Sequence, residues 1–95
     1  MIVSMIQVLF EIPGVGSIKD KRRVVKSIND RLRERFRLSA AEVDLENALS
    51  FGQIGAALVS NSRVFGESVL NKAFTMIENE AAIRVQDVRI HSEEF

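Results

Sequence analysis

Two segments of the chain place an apolar residue at every fourth position, and this spacing is typical of a helix with one buried side. The first segment carries Val24, Ile28, Leu32 and Phe36, and the second carries Phe65, Val69, Ala73 and Ile77. An α-helix completes one turn in about 3.6 residues, so each set lies along one side of its helix. Both helices require an apolar layer to pack against, and a chain of 95 residues is long enough for one domain with one core.

The other apolar stretches alternate in the way that strands do. Residues 2–12 are apolar on both faces, which predicts a strand in the middle of a sheet. Further strands are predicted at 38–45, 50–60 and 83–91. The second and third of the four strands are joined by a hairpin in which Asn47 is expected to adopt the left-handed conformation. In the last strand the alternation changes phase, which predicts a bulge near Gln86–Asp87.

The helix boundaries are also marked in the sequence. The PGVG segment interrupts the first strand, and Ser17 is placed to cap a helix whose third residue is Asp20. The SNS segment at 60–62 offers caps for the second helix, which is predicted at about 62–79.

The resulting order is strand, helix, strand, strand, helix, strand. Right-handed crossovers then produce a four-stranded antiparallel sheet with both helices on one face and the first and third strands in the middle. We therefore expect a single ferredoxin-like α+β domain over residues 1–95. The chain has no Cys, so the fold name describes topology only, and no disulfide or iron–sulfur cluster is expected.

The charges are divided unequally along the chain. Residues 17–37 hold nine of the 13 Lys and Arg and three of the 13 Asp and Glu, and nine minus three leaves +6. The remainder holds four cations and ten anions, or −6, so the net charge of zero conceals one basic segment. Basic regions attract phosphates and acidic partners, although a helix solvated by its own charges is the simpler alternative.

The basic segment is expected to form a stripe along the first helix. A rotation of about 100° per residue places six charged residues opposite the apolar side. They are Lys19, Arg23, Lys26, Asp30, Arg33 and Arg37. The five cations of this set are the predicted contacts to RNA phosphates, in a mode led by charge and shape and not by base sequence.

Two further cations, Lys21 and Arg35, fall on the apolar side of the same helix. We expect each of them to extend its charged end to solvent, since long side chains commonly do so at helix ends. A buried pairing with a carboxylate on the sheet is the alternative.

The face of the sheet turned away from the helices is expected to be an interaction surface. If the first strand turns its even-numbered apolar residues toward the helices, it presents Val3, Met5, Gln7 and Leu9 on the open face. An uncovered apolar patch is unfavourable in a monomer, so we predict a homodimer through these residues. The same face lacks the aromatic residues that RNA-recognition motifs use to stack bases, which disfavours RNA binding by the sheet.

The candidate catalytic and phosphate sites have simpler explanations. The PGVGSIKDK segment at 13–21 resembles a phosphate-binding turn, with Lys19 or Lys21 to add charge, but it has neither the Walker nor the dinucleotide spacing. No serine lies in a G-x-S-x-G elbow. We predict no catalytic residues, no cofactor and no enzyme activity.

The candidate metal ligands are equally weak. His91 is the only histidine and is followed by Glu93 and Glu94. A separate group of Glu42, Asp44 and Glu46 would bind a cation if all three shared a strand face, but an edge strand kept soluble by charge explains them better. No metal site is predicted. The apolar opening of the chain is too short to span a bilayer and has no basic start, so a cytoplasmic location is expected.

The segment SIKDKRRVVKSINDRLRERFRLSAAEVD at 17–44, followed by VSN at 59–61, resembles the YlxP-like family of small bacterial proteins of unknown function. The resemblance runs over nearly the whole chain and implies a ferredoxin-like fold. In some bacteria the family's gene lies beside those for ribosome-binding factor A and a translation initiation factor, which implies a role near ribosome maturation or RNA. The family's hairpin usually carries an aromatic residue, whereas the segment 44–51 has no Trp and offers only Phe51.

The leading hypothesis from the sequence is a non-enzymatic, dimeric protein that contacts RNA, around the ribosome, through its basic first helix. The alternative is a protein-interaction or small-ligand module whose basic helix meets an acidic partner or an anionic metabolite.

Overall fold

Six elements follow one another in the predicted order in the computed structural model, which describes residues 1–95. They are β1 (Ile2–Glu11), α1 (Ile18–Phe36), β2 (Ser39–Glu42), β3 (Phe51–Ser60), α2 (Arg63–Glu78) and β4 (Arg84–Glu94). The strands form one antiparallel sheet in the order β2-β3-β1-β4, so β1 and β3 lie in the middle. The ferredoxin-like βαββαβ prediction is confirmed.

The core lies between the sheet and the two helices. In β1 the side chains of Ile6, Val8 and Phe10 are buried under the helices, as the alternation predicted. From α1 they meet Val25, Ile28 and Leu32, and from α2 they meet Leu70, Ala73 and Ile77. Both helices therefore cover the same face of the sheet and leave the other face open.

The predicted apolar side of α2 is confirmed at Ala73 and Ile77 but differs at the start of the helix. Phe65 is exposed, and Gly66 is the first residue of α2 that is buried against the sheet. A Cβ atom added at Gly66 would lie 2.2 Å from the Ser4 Oγ atom of β1, so only glycine permits this approach. The helix consequently places Gly66 on the sheet and leaves Phe65 at its margin.

The bulge prediction in β4 is also confirmed. Leu9 pairs with Asp87, and the next residue of β1, Phe10, pairs with Val85, so Gln86 is the extra residue. This shift lets Val85 and Val88 both turn toward the helices.

The hairpin between β2 and β3 differs from its prediction. The strand β2 ends at Glu42, and the left-handed residues are Asp44 and Leu45, with φ values of 52° and 55°, not Asn47. The chain leaves the sheet earlier than expected because carbonyl groups of this hairpin are bound by a buried lysine of α1, described below. Neither helix is long and apolar enough to cross a lipid bilayer.

Candidate nucleic-acid interface

The basic helix α1 is capped at both ends by residues of its own segment. At the start, the Ser17 hydroxyl accepts a hydrogen bond of 3.1 Å from the Asp20 backbone N–H. At the end, Arg37 adopts the left-handed conformation with φ 55°, which terminates the helix. In the segment PGVGSIKDK, considered above as a phosphate-binding turn, the Asp20 backbone N–H is therefore already bound by the Ser17 hydroxyl and is not free to bind a phosphate.

Seven cations of the segment 17–37 are exposed to solvent. They are Lys19, Arg22, Arg23, Lys26, Arg33, Arg35 and Arg37. All five predicted contact residues are in this set, and Arg22 and Arg35 extend it. The predicted stripe did not include Arg22, whereas Arg35 was expected to reach solvent from the apolar side of the helix. Exposed carboxylates in the same segment are limited to Asp20 and Glu34.

One carboxylate, Asp30, draws two of the predicted contact residues toward itself. The Lys26 ammonium lies 2.6 Å from Asp30 Oδ2, and the Arg33 guanidinium lies 3.4 Å from Asp30 Oδ1. The hydrogen bond from Lys26, together with the positive charges of both cations, holds the pKa of Asp30 below its ordinary value. Both cations still face solvent, so their pairing weakens the local field without closing the surface.

The other exposed cations have looser arrangements. Arg23 and Asp20 are separated by 4.0 Å, at the limit of an ion pair. No carboxylate pairs with Lys19, Arg22, Arg35 or Arg37. These four side chains are the cations most available to an external anion.

Arg33 has a second role at the edge of the sheet. Its guanidinium donates a 2.6 Å hydrogen bond to the Ala40 carbonyl of β2, which is the outermost strand on that side. The bond covers an outward-pointing carbonyl that would otherwise be free to pair with another strand. Arg33 is therefore partly engaged by the fold, unlike Lys19 and Arg37.

Lys21 is buried, and the expectation that it reaches solvent is wrong. Its side chain is 1% exposed, and its ammonium lies 3.1 Å from Glu42 Oε2. The same ammonium donates to the carbonyls of Leu45, at 2.6 Å, and Ala48, at 2.5 Å. The ammonium directs its hydrogen bonds at these two carbonyls, and Glu42 supplies charge without an aligned bond. Arg35, by contrast, is exposed as expected.

Glu42 reaches Lys21 because of the strand register. It pairs with Ile54, whose side chain faces the helices, so Glu42 also turns toward α1. Asp44 and Glu46 lie beyond the end of β2, in the hairpin. The three carboxylates therefore do not share a strand face, and no group of three or more His, Asp or Glu is placed to hold a metal ion. His91 pairs with Glu93 on the exposed surface of β4.

The open face of the sheet carries the predicted residues of β1. Met5 and Gln7 are exposed, and Val3 and Leu9 are half-buried. Beside them lies a shallow groove of about 410 Å³ whose floor is made of small residues of β2 and β3, with Arg89 and His91 at its margin. Asp87, Arg89, His91 and Glu93 form the β4 side of this face.

Replacing Arg37 by glycine should stabilise the fold while removing a surface cation. A non-glycine residue at positive φ is strained, so Arg37→Gly is expected to raise the free energy of unfolding by about 1 kcal/mol. The matched variant Arg35→Gly, inside α1, should lower it by about 1 kcal/mol. Urea denaturation followed by circular dichroism measures both. A loss of stability in Arg37→Gly would contradict this view of the helix end.

Comparisons with known proteins agree on fold and family. The chain matches, over residues 3–90, a family described as "Protein of unknown function (DUF503)". It is 34% identical over 64 residues to the uncharacterized protein YlxP of Bacillus subtilis (strain 168), covering 67% of this chain and 70% of that protein.

A solved structure supports the fold alone. The crystal structure of At3g17210 from Arabidopsis thaliana superimposes with a TM-score of 0.53 over 97% of this chain and 93% of the other, at 10% sequence identity. Since the family match spans nearly the whole chain and the Bacillus protein is a clear relative, the chain belongs to the DUF503 family, the YlxP-like proteins of unknown function.

Proposed function

We propose that this protein is a non-enzymatic binding protein whose α1 helix contacts the phosphates of structured RNA. The observation that carries the proposal is the set of seven exposed cations on one segment of a chain whose remaining residues sum to −6. Because the positive charge is concentrated on one segment, the molecule has a single basic surface, and the electric field of that surface steers it toward a polyanion.

The shape of the surface suits a phosphate backbone. α1 has 19 residues and is about 28 Å long at 1.5 Å per residue. Unpaired cations lie at both ends of it, with Lys19 and Arg22 at the start and Arg35 and Arg37 at the finish. Because these groups read charge and spacing and not base edges, the expected binding tolerates many sequences.

A ribosomal target in the cytoplasm is part of this proposal. It rests on the gene neighbourhood of the YlxP-like proteins and on the basic surface. The alternative partner of α1 is an acidic protein or an anionic metabolite, because the same cations attract any of these anions.

The proposal is tested by the salt dependence of RNA binding. With about five phosphate contacts, affinity for a fluorescent RNA hairpin should fall several hundredfold between 50 and 200 mM salt, or roughly −4.5 in log–log slope. Fluorescence anisotropy measures it. Absence of binding at 50 mM salt would end the RNA proposal, and partners recovered from lysate that survive nuclease treatment would then favour the acidic protein.

We also propose that the protein acts as a homodimer through the open sheet face. Met5 and Gln7 are exposed there, and the small-residue groove beside them allows a second sheet to approach closely. On the β4 side of the face, Asp87 and Arg89 lie 3.6 Å apart and pair with each other within one chain, so this side adds little net charge to oppose the approach of a second copy. Such a dimer leaves both α1 helices on its outer surfaces.

The dimer is tested by one substitution at the centre of the face. Met5→Glu should convert a dimeric wild-type protein into a monomer, because burying two carboxylates in an apolar interface is strongly unfavourable. Size-exclusion chromatography with light scattering measures the mass. Val64→Glu, which alters an exposed apolar residue of α2, is the control and should remain dimeric. A monomeric wild-type protein at about 100 μM would exclude a stable dimer.

A further inference from the structure

The strand β3 extends beyond the strand that covers its outer edge. Pairing between β2 and β3 ends at Ser39 and Ala57, whereas β3 continues to Ser60. The last residues of β3 therefore have a neighbour on one side only, which is β1.

The hydrogen-bond alternation shows which backbone groups face the uncovered side. The Ser50 carbonyl accepts from Ile12 at the end of β1, whereas the Gln53 carbonyl accepts from Val43 at the end of β2. Even-numbered positions of this strand thus bond toward β1 and odd-numbered positions toward β2. By this alternation the N–H and C=O groups of Val59 point to the side on which β2 has already ended.

An apolar groove lies beside this uncovered edge. It has a volume of about 460 Å³ and is lined mainly by Phe36, Leu58, Phe65 and Val69, with Arg37 at its margin. Two of the most exposed large apolar side chains of the chain, Val59 and Phe65, line this groove. Contiguous exposure of this kind marks an interaction surface.

We infer that this corner binds an extended segment of a partner protein, which adds a strand to β3 beside Val59. A strand is the occupant because the groups to be satisfied are a backbone N–H and C=O at strand spacing. One large apolar side chain of the segment enters the groove between Phe36 and Phe65. We expect acidic residues on either side of this apolar residue in the partner segment. Arg37 borders the groove without a carboxylate partner, and Arg33 and Arg35 precede it at the end of α1. RNA does not fit, since the groove is apolar. This inference is independent of the proposed RNA contact.

The experiment uses three short capped peptides and isotope-labelled protein. The first peptide alternates glutamate with isoleucine around a central phenylalanine, the second has lysine for glutamate, and the third is the first with N-methylated backbone at alternate residues. In amide NMR spectra the first peptide should shift the signals of residues 58–60 and Phe65, with a Kd of about 10–500 μM. The second and third peptides should bind with affinities at least about tenfold lower than that of the first.

Two variants test whether the peptide pairs with β3 and fills the groove. Val59→Pro removes the outward N–H without breaking the ladder to β1, because Val59 and Val3 form a non-hydrogen-bonded pair. It should weaken the first peptide about tenfold, as should Phe65→Ala, while Val64→Ala, outside the groove, should not. Retained RNA affinity in all three variants is expected.

Three results would overturn the inference. One is the absence of shifts at residues 58–60 with millimolar concentrations of every peptide. Another is equal binding by wild-type protein, Val59→Pro and Phe65→Ala. The third is a loss of self-association in Val59→Pro but not in Phe65→Ala or Val64→Ala. That result would mean that a second copy of the chain, and not a partner protein, pairs with this edge of β3.

Discussion

Replacing Lys21 by methionine should lower the free energy of unfolding by about 3–5 kcal/mol. The substitution keeps the volume of the side chain but removes the cation from a buried site. Glu42 is then left with a carboxylate that is mostly buried, and the Leu45 and Ala48 carbonyls lose their donor. A domain of this size has a total stability of about 5–14 kcal/mol, so the loss is a large part of it.

The chain offers a matched control and a rescue for this result. Lys19→Met makes the same chemical change two residues earlier, at an exposed cation without a partner, and should leave stability nearly unchanged. Lys21→Met combined with Glu42→Met removes both charges and should recover much of the loss. Urea denaturation of the three variants provides the measurement. A Lys21→Met protein within about 1 kcal/mol of wild type would show that the pair is not a stabilising contact.

The fold was predictable because its signals are local. The four-residue repeat of α1, the two apolar faces of β1 and the phase change at Gln86 each appear within a few neighbouring residues. The topology then follows from the handedness of the crossovers, which leaves few alternatives for this order of elements.

The departures from prediction arise from contacts between distant segments. Lys21 was expected in solvent because its own helix gives no sign of Glu42 or of the hairpin carbonyls 24 and 27 residues away. The same contact places the left-handed residues at Asp44 and Leu45 and not at Asn47. At the start of α2, Phe65 is exposed because Gly66 takes the position against the sheet, and the close approach of Gly66 to Ser4 exists only in the assembled fold.

The position of the basic stripe was predictable from the sequence, but which of its cations are free to bind an external anion was not. Helical periodicity placed Asp30 in the same stripe as the cations, but it did not predict that Asp30 binds Lys26 or that the Ala40 carbonyl accepts from Arg33. The free cations of α1 are consequently concentrated toward its two ends. This distribution decides which substitutions test the RNA proposal most cleanly.

Reversing two of these charges should reduce RNA affinity by about fiftyfold at moderate salt and lower the salt slope by about two. The substitutions are Lys19→Glu and Arg22→Glu together, because both side chains are exposed and neither pairs with a carboxylate. Negative charge in the first turns of a helix also favours the helix, so the variant should remain folded. The loss of binding therefore reports the phosphate contact and not a loss of structure.

The most direct test compares this variant with one of equal charge change elsewhere. Lys72→Glu with Arg84→Glu makes the same change on α2 and β4, where both side chains are exposed. Anisotropy of one fluorescent RNA hairpin at about 100 mM salt, the measurement to make, should then show a loss for the α1 variant and near wild-type affinity for the control. Equal losses in both variants would mean that only net charge matters and that α1 is not the RNA-binding surface.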